Sequence, residues 1–201
     1  MKRRNFLQSS LGFVAAGAAM PGMASEAQAV MPPREVDIMP GIPAGQIHVM
    51  PDEFALYWTL PGDRALRYGI GVGRDDLYEA GDFVIDAKKE WPSWTPTPGM
   101  IERQPELYSK WADGMPGGPD NPLGARALYL FKNGWDTFLR IHGTNHPNTI
   151  GTSVSNGCAR LVNDQMIALY DQVPMGTKVF LYPKAGMAYD PAEAEARYRR
   201  G

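Results

Sequence analysis

The chain has 201 residues, 44% of them hydrophobic, with 22 glycines and 18 prolines, which suits one domain with a real core and many turns rather than a helical bundle. A net charge of −2 and a pI near 5.9 leave no basic footprint for nucleic acid. A single cysteine excludes an internal disulfide and leaves no second thiol for a metal site.

The first residues read as a targeting segment. Met1-Lys2-Arg3-Arg4 is a positive n-region, residues 6–20 form an apolar run, and Ala27-Gln28-Ala29 is a small-x-small cleavage site. Residues 1–29 are therefore expected to be an export signal. The adjacent arginines of Arg3-Arg4-Asn5-Phe6-Leu7 make it twin-arginine-like, and an ordinary secretory signal would lead to the same destination. The expected location is the periplasm. The run is too short to span a membrane, and no second hydrophobic segment follows, so no span is expected in the mature protein.

Residues 30–45 carry four prolines and little periodicity, and read as an extended lead-in. Residues 46–50, 54–60 and 65–72 are β-branched or aromatic runs separated by Pro51-Asp52 and Pro61-Gly62-Asp63, which predicts three strands, with a shorter one at 83–85. Residues 91–100 and 115–123 read as long loops. Strands at 127–131 and 137–141 flank Asn133-Gly134, a strong hairpin signal. A helix is predicted over 164–173, capped by Asn163, with Met166, Leu169, Tyr170 and Val173 on one face and Pro174 as its stop. A last strand is expected at 178–182. Residues 184–201 form a charged tail that can hold a short surface helix.

Chemistry concentrates in His142-Gly143-Thr144 and Ser155-Asn156-Gly157-Cys158-Ala159-Arg160-Leu161. A thiol at its free pKa is only a few per cent thiolate at neutral pH, so a nucleophilic Cys158 needs a base or a positive environment. His142 ends a strand-like run, and Cys158 sits in a glycine-preceded turn whose N–H groups can stabilise a thiolate or an oxyanion. Gly71-x-Gly73 lacks the third glycine of a nucleotide fingerprint, and Asp75-Asp76, Asp86 and Glu90 lack the pairing of a metal or glycosidase site. His48 on an early strand reads as structural, and His146 beside Pro147 as a solvated residue or a substitute base.

The wider pattern is more specific. Asn121-Pro122-Leu123-Gly124, Ala127-Leu128-Tyr129-Leu130, Ile141-His142-Gly143-Thr144, Ile150-Gly151 and Ser155-x-Gly-Cys158-x-Arg160-Leu161 together resemble the L,D-transpeptidase (YkuD-type) catalytic domain. Gly71-Val72-Gly73-Arg74, the proline- and tryptophan-rich run from Pro92 to Met100, Asn163-Asp164 and Gly176-Thr177-x-Val179 extend the resemblance over nearly all of the expected mature chain. It places the catalytic domain at 46–183.

The resemblance implies a mainly β, compact YkuD-like domain of packed β-sheets with one or two short helices, and neither metal nor cofactor. It implies peptidoglycan stem peptides as partners, and acylation by carbapenems. Cys158 would attack the carbonyl joining the third stem residue to D-alanine. His142 would be its base, Gly143 would orient the ring, and Gly157 with Cys158 would supply oxyanion N–H groups. Arg160 would steer stem carboxylates or clamp a loop carbonyl, and Thr144 would line the substrate site. Asn156 stands where most members carry histidine; it cannot shuttle a proton, and its expected role is to orient the site by holding the Cys158 turn through hydrogen bonds. A hydrolase or carboxypeptidase that ends the same thioester with water, and an idle wall-binding protein, are the competing expectations. No signature of an oligomeric state is present.

Overall fold

The computed structural model describes residues 31–198, so the expected export signal lies outside the described residues. Eleven strands are present among the described residues. β1 (Arg34–Asp37), β2 (Gln46–Met50), β3 (Ala55–Leu60), β4 (Arg64–Gly69), β5 (Val72–Gly73) and β6 (Gly81–Glu90) precede a long covering segment, and β7 (Arg126–Lys132), β8 (Trp135–His142), β9 (Ser153–Ser155), β10 (Ala159–Arg160) and β11 (Lys178–Leu181) follow it. The helices are short: α1 (Pro98–Arg103), α2 (Pro105–Tyr108), α3 (Asn163–Gln172) and α4 (Pro191–Ala196).

Nine strands form one sheet in the order β1-β4-β3-β2-β11-β6-β7-β8-β10, and β5 pairs with β9 in a second. The burial patterns explain the order. β3 is buried on both faces and sits inside the sheet, whereas β6 alternates, with Gly81, Phe83 and Ile85 inward and Asp82, Val84 and Asp86 more exposed. Residues from both halves of the sheet, including Ile47, Leu56, Tyr68, Leu128, Leu139 and Ile141, pack into one apolar cluster with Met166 and Leu169 of α3. The sheet must therefore curl around that cluster.

One bridge closes the curl. Gly71, just past β4, exchanges both backbone hydrogen bonds with Arg160 of β10, at 2.9 and 2.8 Å. The two strands it joins lie at or next to opposite ends of the sheet order. Closure at this point removes unpaired edge, the feature that exposes β-proteins to misassociation.

The mainly β character agrees with expectation, and several local readings are corrected. The 30–45 segment is not wholly irregular, because Arg34–Asp37 pairs antiparallel with β4 as an edge strand. β6 runs to Glu90, well beyond 83–85, since its charged end pairs with β7 and Lys88 donates to the Tyr170 and Val173 carbonyls at the end of α3 (2.5 and 2.6 Å). Residues 91–100 are not loop throughout, because Thr97 accepts from the Met100 N–H and Pro98 opens α1. Asn163 does not cap α3. It is the helix's first residue, and its side chain accepts instead from the Ala125 and Thr144 N–H groups.

A methyl group at position 71 would meet an Arg160 guanidinium nitrogen at 2.8 Å and the Thr149 carbonyl at 3.0 Å. Gly71→Ala is therefore expected to destabilise the fold by about 1–3 kcal/mol. Gly118→Ala, with open space around it, should be near neutral. Urea unfolding of both variants checks this, and equal midpoints would refute the closing role of Gly71.

Candidate active site

β8 and β10 run parallel, with Ala159 opposite Ile141 and Arg160 opposite His142. This register puts Cys158 beside Arg140, two residues from His142 along β8. Residues at i and i+2 share a face of a strand, so Arg140 and His142 point the same way. Cys158, His142, Arg140, Asn156, Thr144 and Tyr108 all line one cavity of about 550 Å³. A larger groove of about 810 Å³ beside α4 contains none of these residues, and the chemistry belongs to the smaller one.

The His142 ring is 5% exposed, and its Nδ1 lies 2.6 Å from the Gly143 carbonyl. A carbonyl only accepts, so Nδ1 carries the proton and the lone pair of the neutral ring is on Nε2. Burial pushes its pKa down to about 3; the Gly143 and Leu123 carbonyls oppose the shift, and Arg160 and Arg140 reinforce it. Burial likewise pushes the Cys158 thiol up, while the Arg140 N–H and the Arg140 and Arg160 charges pull it down. The Cys158 Sγ is 4.0 Å from the Phe138 carbonyl, a contact that suits a thiol rather than a thiolate. Burial thus works against charge on both partners, which favours proton transfer within the reaction step.

The Cys158 turn is held by close backbone packing. Gly157 has φ +122°, and a Cβ there would lie 2.8 Å from the Leu77 carbonyl. The Ser155 hydroxyl donates to the Cys158 carbonyl at 2.7 Å. Asn156 turns away from that loop. Its Nδ2 donates to the Tyr108 hydroxyl at 3.1 Å, and its Oδ1 accepts from Arg74 and Arg103 at 3.2 and 3.3 Å.

The structure engages the remaining expected residues in the framework. Arg160 is 9% exposed and donates to the Thr149 hydroxyl (2.9 Å) and carbonyl (3.3 Å), the loop clamp of the two roles open to it. Thr144 is buried and its hydroxyl accepts from the His146 N–H. His146 is exposed on the cavity rim, and His48 is buried against Tyr182, Gln46 and Phe180.

Three residues absent from the sequence reading complete the site. Arg140 makes a two-pronged pair with Asp136 (2.6 and 2.8 Å) and stacks over Tyr129 at 4.0 Å. Asp136 also accepts from the Phe138 N–H at 2.8 Å, pinning Phe138 at φ +61° with 69% of its surface exposed. Left-handed backbone is unfavourable for a bulky residue, so the Asp136–Arg140 pair holds the strain that aims the Phe138 carbonyl at Sγ. The spacing Asp136-x-Phe138-x-Arg140 on one strand face was the available signal. Among the described residues no group of three or more His, Cys, Asp or Glu is placed to hold a metal, and no helix is long and apolar enough to cross a membrane.

Two pH responses are expected. Alkylation of Cys158 by iodoacetamide should rise with a midpoint above the ~8.5 of a free thiol, and Arg140→Gln should move it higher by removing a cation that favours thiolate. A wild-type midpoint well below 8 would contradict the geometry. Folding stability should be fully present above pH ~6.5 and fall as the pH drops towards 3, because the unfolded chain protonates His142 and His48 while the fold keeps them near 3 and 4. The loss is roughly 2 kcal/mol per histidine at pH 5. Urea midpoints between pH 7 and 5 should flatten in His48→Gln, and an unchanged slope there would count against this account.

Comparison with known proteins agrees with the residue pattern. The profile of the YkuD family, the L,D-transpeptidase catalytic domain, matches residues 44–181, well over half of the chain. A putative L,D-transpeptidase encoded in the ATP synthase subunits region of Fuscovulum blasticum is 40% identical over 124 residues, 61% of each chain. A crystal structure from Brucella melitensis, described as a probable carnitine operon oxidoreductase, is 46% identical with a TM-score of 0.53, covering 76% of this chain and 96% of that one. That description concerns the Brucella protein. L,D-transpeptidase 3 of Mycobacterium tuberculosis shares the fold at 14% identity, TM-score 0.53, covering 70% of this chain and 62% of its own. The chain spans 40–61% of the length of the first curated relatives it matches. By the family profile and by these relatives, the chain belongs to the L,D-transpeptidase (YkuD) family.

Proposed function

We propose that this protein remodels peptidoglycan cross-links through a cysteine thioester on tetrapeptide stems. The observation that carries the reading is the cavity shared by Cys158 and His142 on paired strands, with the His142 lone pair assigned to Nε2 by the Gly143 carbonyl.

In the acylation step the Cys158 thiol passes its proton to His142 Nε2 as sulfur bonds to the carbonyl of the third stem residue. The tetrahedral oxyanion forms beside the N–H groups of Gly157 and Cys158, neither of which donates to a protein acceptor among the described residues. Collapse expels D-alanine, whose nitrogen takes the proton from His142, and leaves a thioester. An amine of a second stem then adds, gives its proton to His142, and releases Cys158 as a thiol when that proton returns. Water in place of the amine turns the same site into a carboxypeptidase or hydrolase. Burial makes the transient imidazolium costly to form and correspondingly ready to pass its proton to the leaving amine.

The signal-like residues 1–29 support action outside the cytoplasm, in the periplasm. Intact mass spectrometry with a tetrapeptide stem, and separately with a carbapenem, tests the chemistry. Both should add to the wild type, neither to Cys158→Ala, and His142→Gln should slow acylation about 10²–10⁴-fold. Product masses separate a cross-linked dimer from a trimmed tripeptide. An unmodified wild type would overturn the proposal in favour of the idle wall-binding reading, and full-rate acylation in His142→Gln would overturn the role of His142 as base.

A further inference from the structure

Arg74 follows β5, Arg103 ends α1, and Asn156 lies two residues before the nucleophile, yet both guanidinium groups converge on the one Asn156 Oδ1 at 3.2 and 3.3 Å. The two Nη2 atoms are thus within about 6.5 Å of each other around a neutral acceptor. Elsewhere Arg64, Arg126, Arg140 and Arg197 each pair with a carboxylate. Among the described residues neither Arg74 nor Arg103 does, although Asp76, Glu102 and Glu106 are close in sequence. Glu79 on the cavity wall is already held by Arg197 and Tyr198. Each guanidinium has five N–H donors and spends one on Asn156, which leaves both with unspent donors around the same amide. Tyr108, which holds the other end of the amide, lines the cavity alongside Cys158.

We propose that Arg74 and Arg103 form a carboxylate-binding subsite for the donor peptide, with Asn156 as the neutral pivot that aims them and Tyr108 as its wall. This rests on the acyl-transfer reading above. Two converging, uncompensated guanidiniums select a planar anion that can accept in bidentate fashion from both. Asn156 and Cys158 are two residues apart, so their Cα atoms are no more than about 7 Å apart. The pivot thus stands beside the nucleophile, and the carboxylate it helps to hold belongs to the same stem. The same geometry accounts for asparagine where most of the family carries histidine. Asn156 offers an oxygen to two cations and an N–H to Tyr108 at once. A histidine would offer one acceptor nitrogen, and its charged form would oppose both arginines.

The test compares a tetrapeptide stem with all carboxylates free against stems amidated at one carboxylate at a time, using wild type, Arg74→Gln, Arg103→Gln and the double variant. D-alanine release gives KM and kcat. The free acid should be preferred over one particular amidated stem by about tenfold or more in kcat/KM, and that stem identifies the bound carboxylate. Each single variant should raise KM for the free acid about tenfold with kcat falling less than threefold. In the double variant the preference should collapse towards one, with partial recovery in Arg74→Lys/Arg103→Lys. A preference that survives in the double variant overturns the subsite. An equal loss on every stem with a lowered Tm also overturns it, since the arginines would then only latch the covering segment. If the wild type turns over no stem, the stem assignment fails instead, and acylation by a carbapenem acid against its methyl ester applies the same comparison to the arginine pair.

Discussion

The site depends on one backbone exchange, between Gly71 and Arg160. A curled sheet with open ends would leave β10 attached only through two residues of β8, too short a ladder to fix the turn that precedes it. The exchange fastens β10 from the other side, and the Arg160 guanidinium fastens it a third time through Thr149. Cys158 is therefore attached to a strand that cannot shift without opening the whole curl. The glycine at 71 is required because the arginine occupies the space a side chain would take. Precision at the nucleophile thus comes from closure of the sheet, more than from interactions of the cysteine itself.

Charge around the cavity is arranged in two layers. Next to the sulfur, burial is the largest influence and disfavours charge on both Cys158 and His142, with two arginines nearby. One of these pairs with Asp136, and the other spends two nitrogens on Thr149 while its buried Nε has no partner. Further out, Arg74 and Arg103 have only an amide between them. Phe138 separates the layers, its ring exposed and its carbonyl turned to the thiol.

Much of this was legible in the sequence where the signal is local. Asn133-Gly134 gave the hairpin, and both residues adopt positive φ as that turn requires. Pro174 and the apolar spacing placed α3 within a residue of its observed bounds. Cys158 and His142 were visible because their motif is contiguous on each side. What stayed hidden is set by pairing across the fold. Three of the four residues of Arg34–Asp37 are charged, and the segment becomes a strand only because β4 offers it an edge. The proline-rich run around Thr97 reads as loop by composition, although Thr97-Pro98 is also a helix start. The contacts of Asn156 reach back 82, 53 and 48 residues, distances over which no local pattern speaks.

The position of β11 has a consequence for how the protein is made. This strand, near the end of the described chain, lies between β2 and β6, parallel to the first and antiparallel to the second. Until residue 181 has been synthesised, the β1–β4 half and the β6–β8 half share no direct strand pairing across that gap. An emerging chain therefore holds two ladders that can join only through the Gly71–Arg160 side, and each keeps a raw edge at the gap until β11 is inserted. Such late, long-range contacts slow folding and prolong exposure of those edges. The strands that line the cavity, β7 to β10, all precede β11 in the chain and none belongs to the β1–β4 half, so the late insertion of β11 completes the sheet rather than the site.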